Sequence, residues 1–152
     1  MNNTNQIQEL SVPVVTRLLQ IIGGAMCFGL ILGTAVIQGM GIGGAMPEIM
    51  TYLGLGLAVM ALVMQFAMAK VFDKQASKQS TPESILPVYM PRTIVRYAMM
   101  EGVGFFNAVA SKPPYAIIAA GICIVGIILI IPTKSRVENW LRNIVEMKSF
   151  ND

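Results

Sequence analysis

Glu101 is the residue of this 152-residue chain whose type and position most invite chemistry. It stands in the mostly apolar run Thr93–Ser111, where Arg96 is the other charge. Counted from Thr93 at 1.5 Å per residue, Arg96 lies about 4.5 Å and Glu101 about 12 Å along a helix, so only Arg96 can snorkel to a nearby boundary. A carboxylate near the middle of a membrane helix costs at least about 2.5–3.5 kcal/mol on insertion scales, so it needs a partner or a purpose. Two purposes fit. In the structural one, Glu101 hydrogen-bonds Gln65, Gln20 or Tyr97 and locks helices together. In the chemical one, it binds or relays a proton or another cation. Arg96 is about 140° away around the helix and cannot pair with it locally. Arg17, Gln20 and Gln65 from other segments therefore complete, with Tyr97, a candidate intramembrane polar cluster.

Other chemistry is excluded by composition. The chain has no histidine, so His-ligated metal sites and His-based nucleophilic catalysis are absent. Cys27 and Cys123 lie in apolar runs and read as small buried hydrophobes rather than disulfide partners. The twelve methionines read as adaptable packing. The glycine-rich stretch after Met40 lacks the Lys-Ser/Thr of a phosphate loop. No catalytic residue, metal or cofactor is expected, and the chain does not read as an enzyme. The net charge is +3, but its basic residues form no single stripe, so no nucleic-acid partner is expected.

The elements that must hold Glu101 follow from the same composition. Hydrophobic residues make up 55% of the chain and charged ones 12%, about half the ~25% of soluble domains. So few charges cannot solvate a 16.4 kDa globule, and so apolar a chain is not disordered. The bilayer is the remaining solvent. No charge occurs from Leu18 to Pro47, a run too long for the ~7–15-residue core of a cleavable signal, so it reads as a retained membrane helix. Charge punctuation then predicts an all-α membrane protein with four spans, about 18–40, 49–69, 93–111 and 115–131, paired as two antiparallel hairpins in one domain. Arg17, Lys70, Lys74, Lys78, Arg92, Arg96, Lys134, Arg136, Arg142 and Lys148 then fall on one side, leaving only Lys112 on the other. The positive-inside rule makes that side cytoplasmic, with both termini there.

Residues 70–92 hold Pro82, Pro87 and Pro91 and a polar run, and are expected as a cytoplasmic loop. Residues 135–147 are expected as an amphipathic tail helix, opened by a Ser135-x-x-Glu138 capping box. Val137, Trp140, Leu141, Ile144 and Val145 share its apolar face. That face either lies on the inner leaflet, with Trp140 as a surface anchor beside Arg136 and Arg142, or docks against the chain's own cytoplasmic loop. Gly29 and Gly33 in the first span, and Gly104 and Ala108 in the third, allow close helix approach within the chain or between copies. The polar segment Met1–Gln6 is expected to be disordered.

The stretch Arg96-Tyr-Ala-Met-Met-Glu-Gly-Val-Gly-Phe-Phe-Asn-Ala-Val and the exit Pro132-Thr-Lys-Ser-Arg-Val-Glu-Asn-Trp-Leu141 resemble a group of uncharacterised small bacterial four-helix inner-membrane proteins. The resemblance covers about the C-terminal 60 residues, and implies location in a bacterial inner (plasma) membrane but no activity. The helix around Glu101 is also distantly similar to the ion-carrying helix of the rotary ATP synthase proteolipid, which implies Glu101 as a carrier. It departs from that pattern in placing Glu101 on the first helix of its hairpin. The function expected first is a non-catalytic assembly, scaffold or accessory subunit, with the bilayer and other membrane subunits or a second copy as partners. The alternative is a small proton- or cation-handling protein using Glu101.

Overall fold

The computed structural model describes residues 11–149 except 45 and 80, and Met1–Gln6 lies outside the described residues. Five helices follow in order: α1 (Val12–Gly39), α2 (Glu48–Ala76), α3 (Pro82–Ala110), α4 (Pro113–Ile130) and α5 (Lys134–Ser149). Among the described residues there is no strand. The starts of three helices carry proline in the first turn, where a missing N–H leaves no bond unmade: Pro13 in α1, Pro82 in α3, and Pro113 with Pro114 in α4. Gly41 and Gly44, at φ 69° and 80°, make the turn from α1 to α2 in a conformation side-chain-bearing residues rarely adopt.

The helices α1, α2 and α4 are each long and apolar enough to cross a membrane. Helix α3, with Arg92, Arg96 and Glu101, is not among them. It is instead the central helix, packed against α1, α2 and α4. Its exposed residues from Val95 onward, Val95, Ala98, Gly102, Phe106 and Val109, recur at helical spacing and carry no charge. Thr93, Arg96 and Asn107 of α3 are buried, and Arg92 and Glu101 are half-buried.

Two apolar clusters organise the molecule. One fills the bundle, with Leu30, Ala58, Tyr97, Met100, Cys123 and Ile127 among its buried members. The other joins Val15 and Leu19 of α1, Ala76 of α2, Ile85, Leu86 and Tyr89 of α3, and Val137, Trp140 and Ile144 of α5.

That second cluster corrects the expected loop and bears on the two alternatives for the tail. The segment expected as a loop over 70–92 is mostly helix, because α2 runs on to Ala76 and α3 already begins at Pro82. Pro87 and Pro91 sit inside α3, on its exposed side. An interior helical proline costs about 3 kcal/mol in isolation. Burial of Ile85, Leu86 and Tyr89 offsets that cost, and a capping box starts the helix, with the Thr81 hydroxyl accepting the Ser84 N–H.

The tail is an amphipathic helix with the expected periodicity, but its apolar face docks on α1 and α3 rather than presenting Trp140 as a free surface anchor. Its start also differs. Thr133, not Ser135, caps α5: its hydroxyl accepts the Arg136 N–H at 3.3 Å, and its carbonyl accepts the Val137 N–H at 3.1 Å. Glu138 faces Lys134 instead, at 3.7 Å.

Candidate functional site

The seam between α1 and α3 holds Glu101. Small residues make the seam close. A side chain at Gly33 would strike the Phe105 ring, and a Cβ at Gly104 would come 2.6 Å from Leu30. Ala108 is fully buried. Gly29 leaves open the space beside the Glu101 carboxylate, whose Oε1 would lie 3.6 Å from a Cβ there. Gly29, Gly33, Gly104 and Ala108 thus serve packing within the chain. Glu101 is half-buried, lies near Cys27, and has neither a hydrogen bond nor an ion pair among the described residues.

The polar cluster expected around Glu101 is not assembled. Gln20 turns away, its Nε2 donating to the Pro132 carbonyl at 2.9 Å. Arg17 is exposed and lines a shallow recess with Pro13, Val14, Leu18 and Ile21. Tyr97 is fully buried with its hydroxyl against Gly23, unpartnered. Gln65 is fully buried and neither amide atom has a partner. The reason lies in helix faces. Asn107 reaches α2, and it stands about 120° around α3 from Glu101, so α2 and its Gln65 cover a different face. Leu62 of α2 and Met100 of α3 both close on Gly126 of α4, which sets Gln65 about one turn nearer the basic end, at the level of Arg96 and Tyr97.

At the basic end, α2, α3 and α5 are joined through one carboxylate. Asp73 accepts from Arg92 Nε at 2.8 Å and from Trp140 Nε1 at 2.6 Å. The Tyr89 and Trp140 rings lie 4.9 Å apart, and the Arg92 guanidinium stands 5.5 Å from one and 5.6 Å from the other. Burial pushes the Tyr89 hydroxyl above its ordinary range, while Arg92, Arg96 and Arg136 act in the opposite direction. Arg136 donates to the carbonyl of Leu129 at 3.0 Å and of Ile131 at 3.4 Å, so it caps the end of α4. Arg142 is exposed and donates to Asn139 at 2.8 Å. Arg96 does not snorkel. It is 8% exposed, and its Nε has no hydrogen-bond partner.

The far end is tied by neutral groups. Asn107 Nδ2 donates to the Gly54 carbonyl at 2.9 Å, and Asn107 Oδ1 accepts from the Ser111 hydroxyl at 3.1 Å. Gln38 Nε2 donates to the Ala108 carbonyl at 2.7 Å. Gly54 permits the first contact because a Cβ there would collide with the Asn107 amide. Outside them, Lys112 and Glu48 pair at 2.6 Å, which lowers the Glu48 carboxyl and raises the Lys112 ammonium from their ordinary values.

No protein-family model, curated protein or solved structure matches the chain.

The geometry therefore stands alone. Among the described residues it shows interhelical polar ties at both ends of the bundle and, between them, an acid with no bonded partner. Sequence reasoning singled out the lone acid and missed the ties. Asn107 and Ser111 carried a signal, since they are polar at i, i+4 in an apolar helix. Asp73 carried another, as the one acid among Lys70, Lys74 and Lys78.

Proposed function

We propose that this chain is a four-span membrane protein that acts as a non-catalytic assembly, scaffold or accessory subunit through helix contacts. The observation that carries the reading is the use of polar side chains. Asn107, Ser111, Gln38 and Gln20 all bond between helices or to helix ends, and Asp73 of α2 joins Arg92 of α3 to Trp140 of α5. The exposed stripe of α3 is free of charge, so α3 fits beside the three apolar helices at their depth. A bacterial inner membrane with both termini cytoplasmic fits the concentration of basic residues at one end. Between α1 and α4 a recess of about 360 Å³ is lined by Ile31, Ala35, Ile117, Ala120, Gly121 and Ile124 among others, and offers an apolar surface to a partner helix. Purification from native membranes in mild detergent tests the reading. A stoichiometric partner subunit or a second copy is expected. A chain that elutes alone, and whose Glu101→Gln variant stops an ion flux in proteoliposomes, replaces it.

That second outcome belongs to the other reading, proton or cation handling by Glu101. One observation favours it: this carboxylate has no hydrogen-bond or ion-pair partner among the described residues. A carbodiimide that labels Glu101, with protection by Na⁺ or an acid-dependent rate, supports it. Labelling of neither kind removes it.

A further inference from the structure

Three arginines converge on the aromatic patch at the basic end, and the carboxylate set against them is already engaged. Arg92 stands 5.5 Å from the Tyr89 ring centre and donates to Asp73. Arg136 approaches from the α4–α5 junction, within electrostatic reach of the Tyr89 hydroxyl, as are Arg92 and Arg96. Arg96 follows Arg92 by one turn of α3, about 6 Å along the axis. Asp73 takes its hydrogen bonds from Arg92 and Trp140, so none reaches Arg96. Among the described residues, Asp73 is the carboxylate hydrogen-bonded within the cluster, so the three guanidinium groups leave a positive excess there.

Arg96 sharpens that excess. Its side chain is 8% exposed and its Nε is unpartnered. Asp73 acts on Arg96 through its charge but not through a hydrogen bond. A guanidinium enclosed in protein without a hydrogen-bonded counter-charge is costly, and a ligand that supplies one recovers part of that cost. The planar fork of arginine matches phosphate oxygens two at a time. Beside the cluster, Lys70 and Lys74 line a recess of about 360 Å³ with Asp73 and Ser77, so the approach is positive as well. The depth is also informative. Arg136 binds the last carbonyls of α4, an 18-residue apolar helix about 27 Å long, which matches the ~30 Å hydrocarbon core. The cluster thus lies where an apolar span ends, at the level of lipid headgroups.

We propose that Arg92, Arg96 and Arg136 form a phosphate-binding site at the basic end of the bundle, occupied by the phosphate of an anionic lipid. Guanidinium recognition is common to a lipid phosphodiester and to free phosphate, and the depth favours the lipid. The site is independent of the scaffold role. Only the lipid as source rests on the membrane reading.

Thermal unfolding of the full chain in a neutral detergent tests it. Phosphatidylglycerol and phosphatidylcholine are titrated separately, as is inorganic phosphate against chloride at equal ionic strength. Phosphatidylglycerol is expected to raise the melting temperature at lower concentration than phosphatidylcholine. Arg96→Gln and Arg136→Gln each raise the phosphatidylglycerol concentration required by roughly tenfold. Arg142→Gln, at an exposed arginine bonded to Asn139, leaves it unchanged. If Arg96→Gln does not fold, the exposed Arg136 carries the test, with Arg96→Lys keeping the charge but losing the fork. Stabilisation by inorganic phosphate that Arg96→Gln abolishes, without preference for phosphatidylglycerol, supports the site and assigns it a soluble phosphate. A phosphatidylglycerol response equal in wild type and all variants, or no response to either source, overturns the proposal.

Discussion

Trp140 is the chain's single tryptophan, so its fluorescence reports one place. It is 9% exposed, against Tyr89, with its indole N–H on Asp73. Asp73→Ala leaves that N–H and the Arg92 charge without their acceptor, a loss of about 1–3 kcal/mol. Emission should shift to the red as α5 loosens, and the melting temperature should fall. Asp73→Asn keeps an oxygen and should lie between. Unchanged emission in both variants would mean that α5 is held by its apolar face alone. Glu101 predicts the opposite sign. It accepts no hydrogen bond among the described residues, so Glu101→Leu should leave stability within about 0.5 kcal/mol of wild type or raise it, read by thermal unfolding. A drop of more than about 1 kcal/mol would show that the carboxylate holds helices together after all.

Between helices, the glycines of the α1–α3 seam are not equivalent, and that difference is measurable. A Cβ at Gly29 meets ordinary contact at 3.6 Å, whereas one at Gly33 runs into the Phe105 ring. Gly29→Ala should be neutral or mildly stabilising, as alanine favours helix by about 1 kcal/mol. Gly33→Ala should cost about 1–3 kcal/mol, with recovery on adding Phe105→Leu. Equal melting temperatures for the two single variants would refute the seam. The Glu48–Lys112 pair, which joins the starts of α2 and α4, has a pH signature. The Glu48 carboxyl is lowered in the fold, so its contribution is present above the ordinary 4.5 and lost as pH falls through the depressed value. The Lys112 ammonium is raised, so its contribution holds below the ordinary 10.5 and fades only as pH rises past the raised value. The stability gap between wild type and Glu48→Gln should be constant across neutral pH and close in acid. A gap that is widest in acid contradicts the pairing. Much of this layer was legible in the sequence. Charge-free runs located α1, α2 and α4, and the 3.6-residue period located the buried face of α5. The beginning of α3 was not legible, because Pro87 and Pro91 speak locally against helix while the contacts of Ile85, Leu86 and Tyr89 with α1 and α5 are distant in sequence. The partner of Gln20 and the unpartnered burial of Gln65 were not legible either, because depth can be read from charge punctuation but the facing between helices cannot.

The whole molecule is asymmetric along the bundle. At the far end the helices are flush: the Gly44 N–H donates to the Val109 carbonyl at 3.2 Å, and Glu48 meets Lys112. Helix α4 has 18 residues and α3 has 29, so α3 overshoots α4 by about 16 Å, and the overshoot is wholly at the basic end. With a ~30 Å hydrocarbon layer fitted to α4, the ends of α1, α2 and α3 form a platform outside it, closed over by α5. The arginine cluster sits at the junction of span and platform. In the proposed four-span reading this arrangement puts α5 and the platform on one side, because α5 packs on Val15 and Leu19 at the start of α1, and on Ala76 at the end of α2. Single cysteines at Ser77 and Asn143, with Cys27 and Cys123 replaced by alanine, should therefore react with a membrane-impermeant maleimide from one face of a sealed vesicle. Cysteines at Met46 and Lys112 should react from the other. Ser77 and Asn143 on opposite faces would break the docking of α5 on the platform together with the four-span arrangement, since no bundle with α3 beside α4 over its length can separate them.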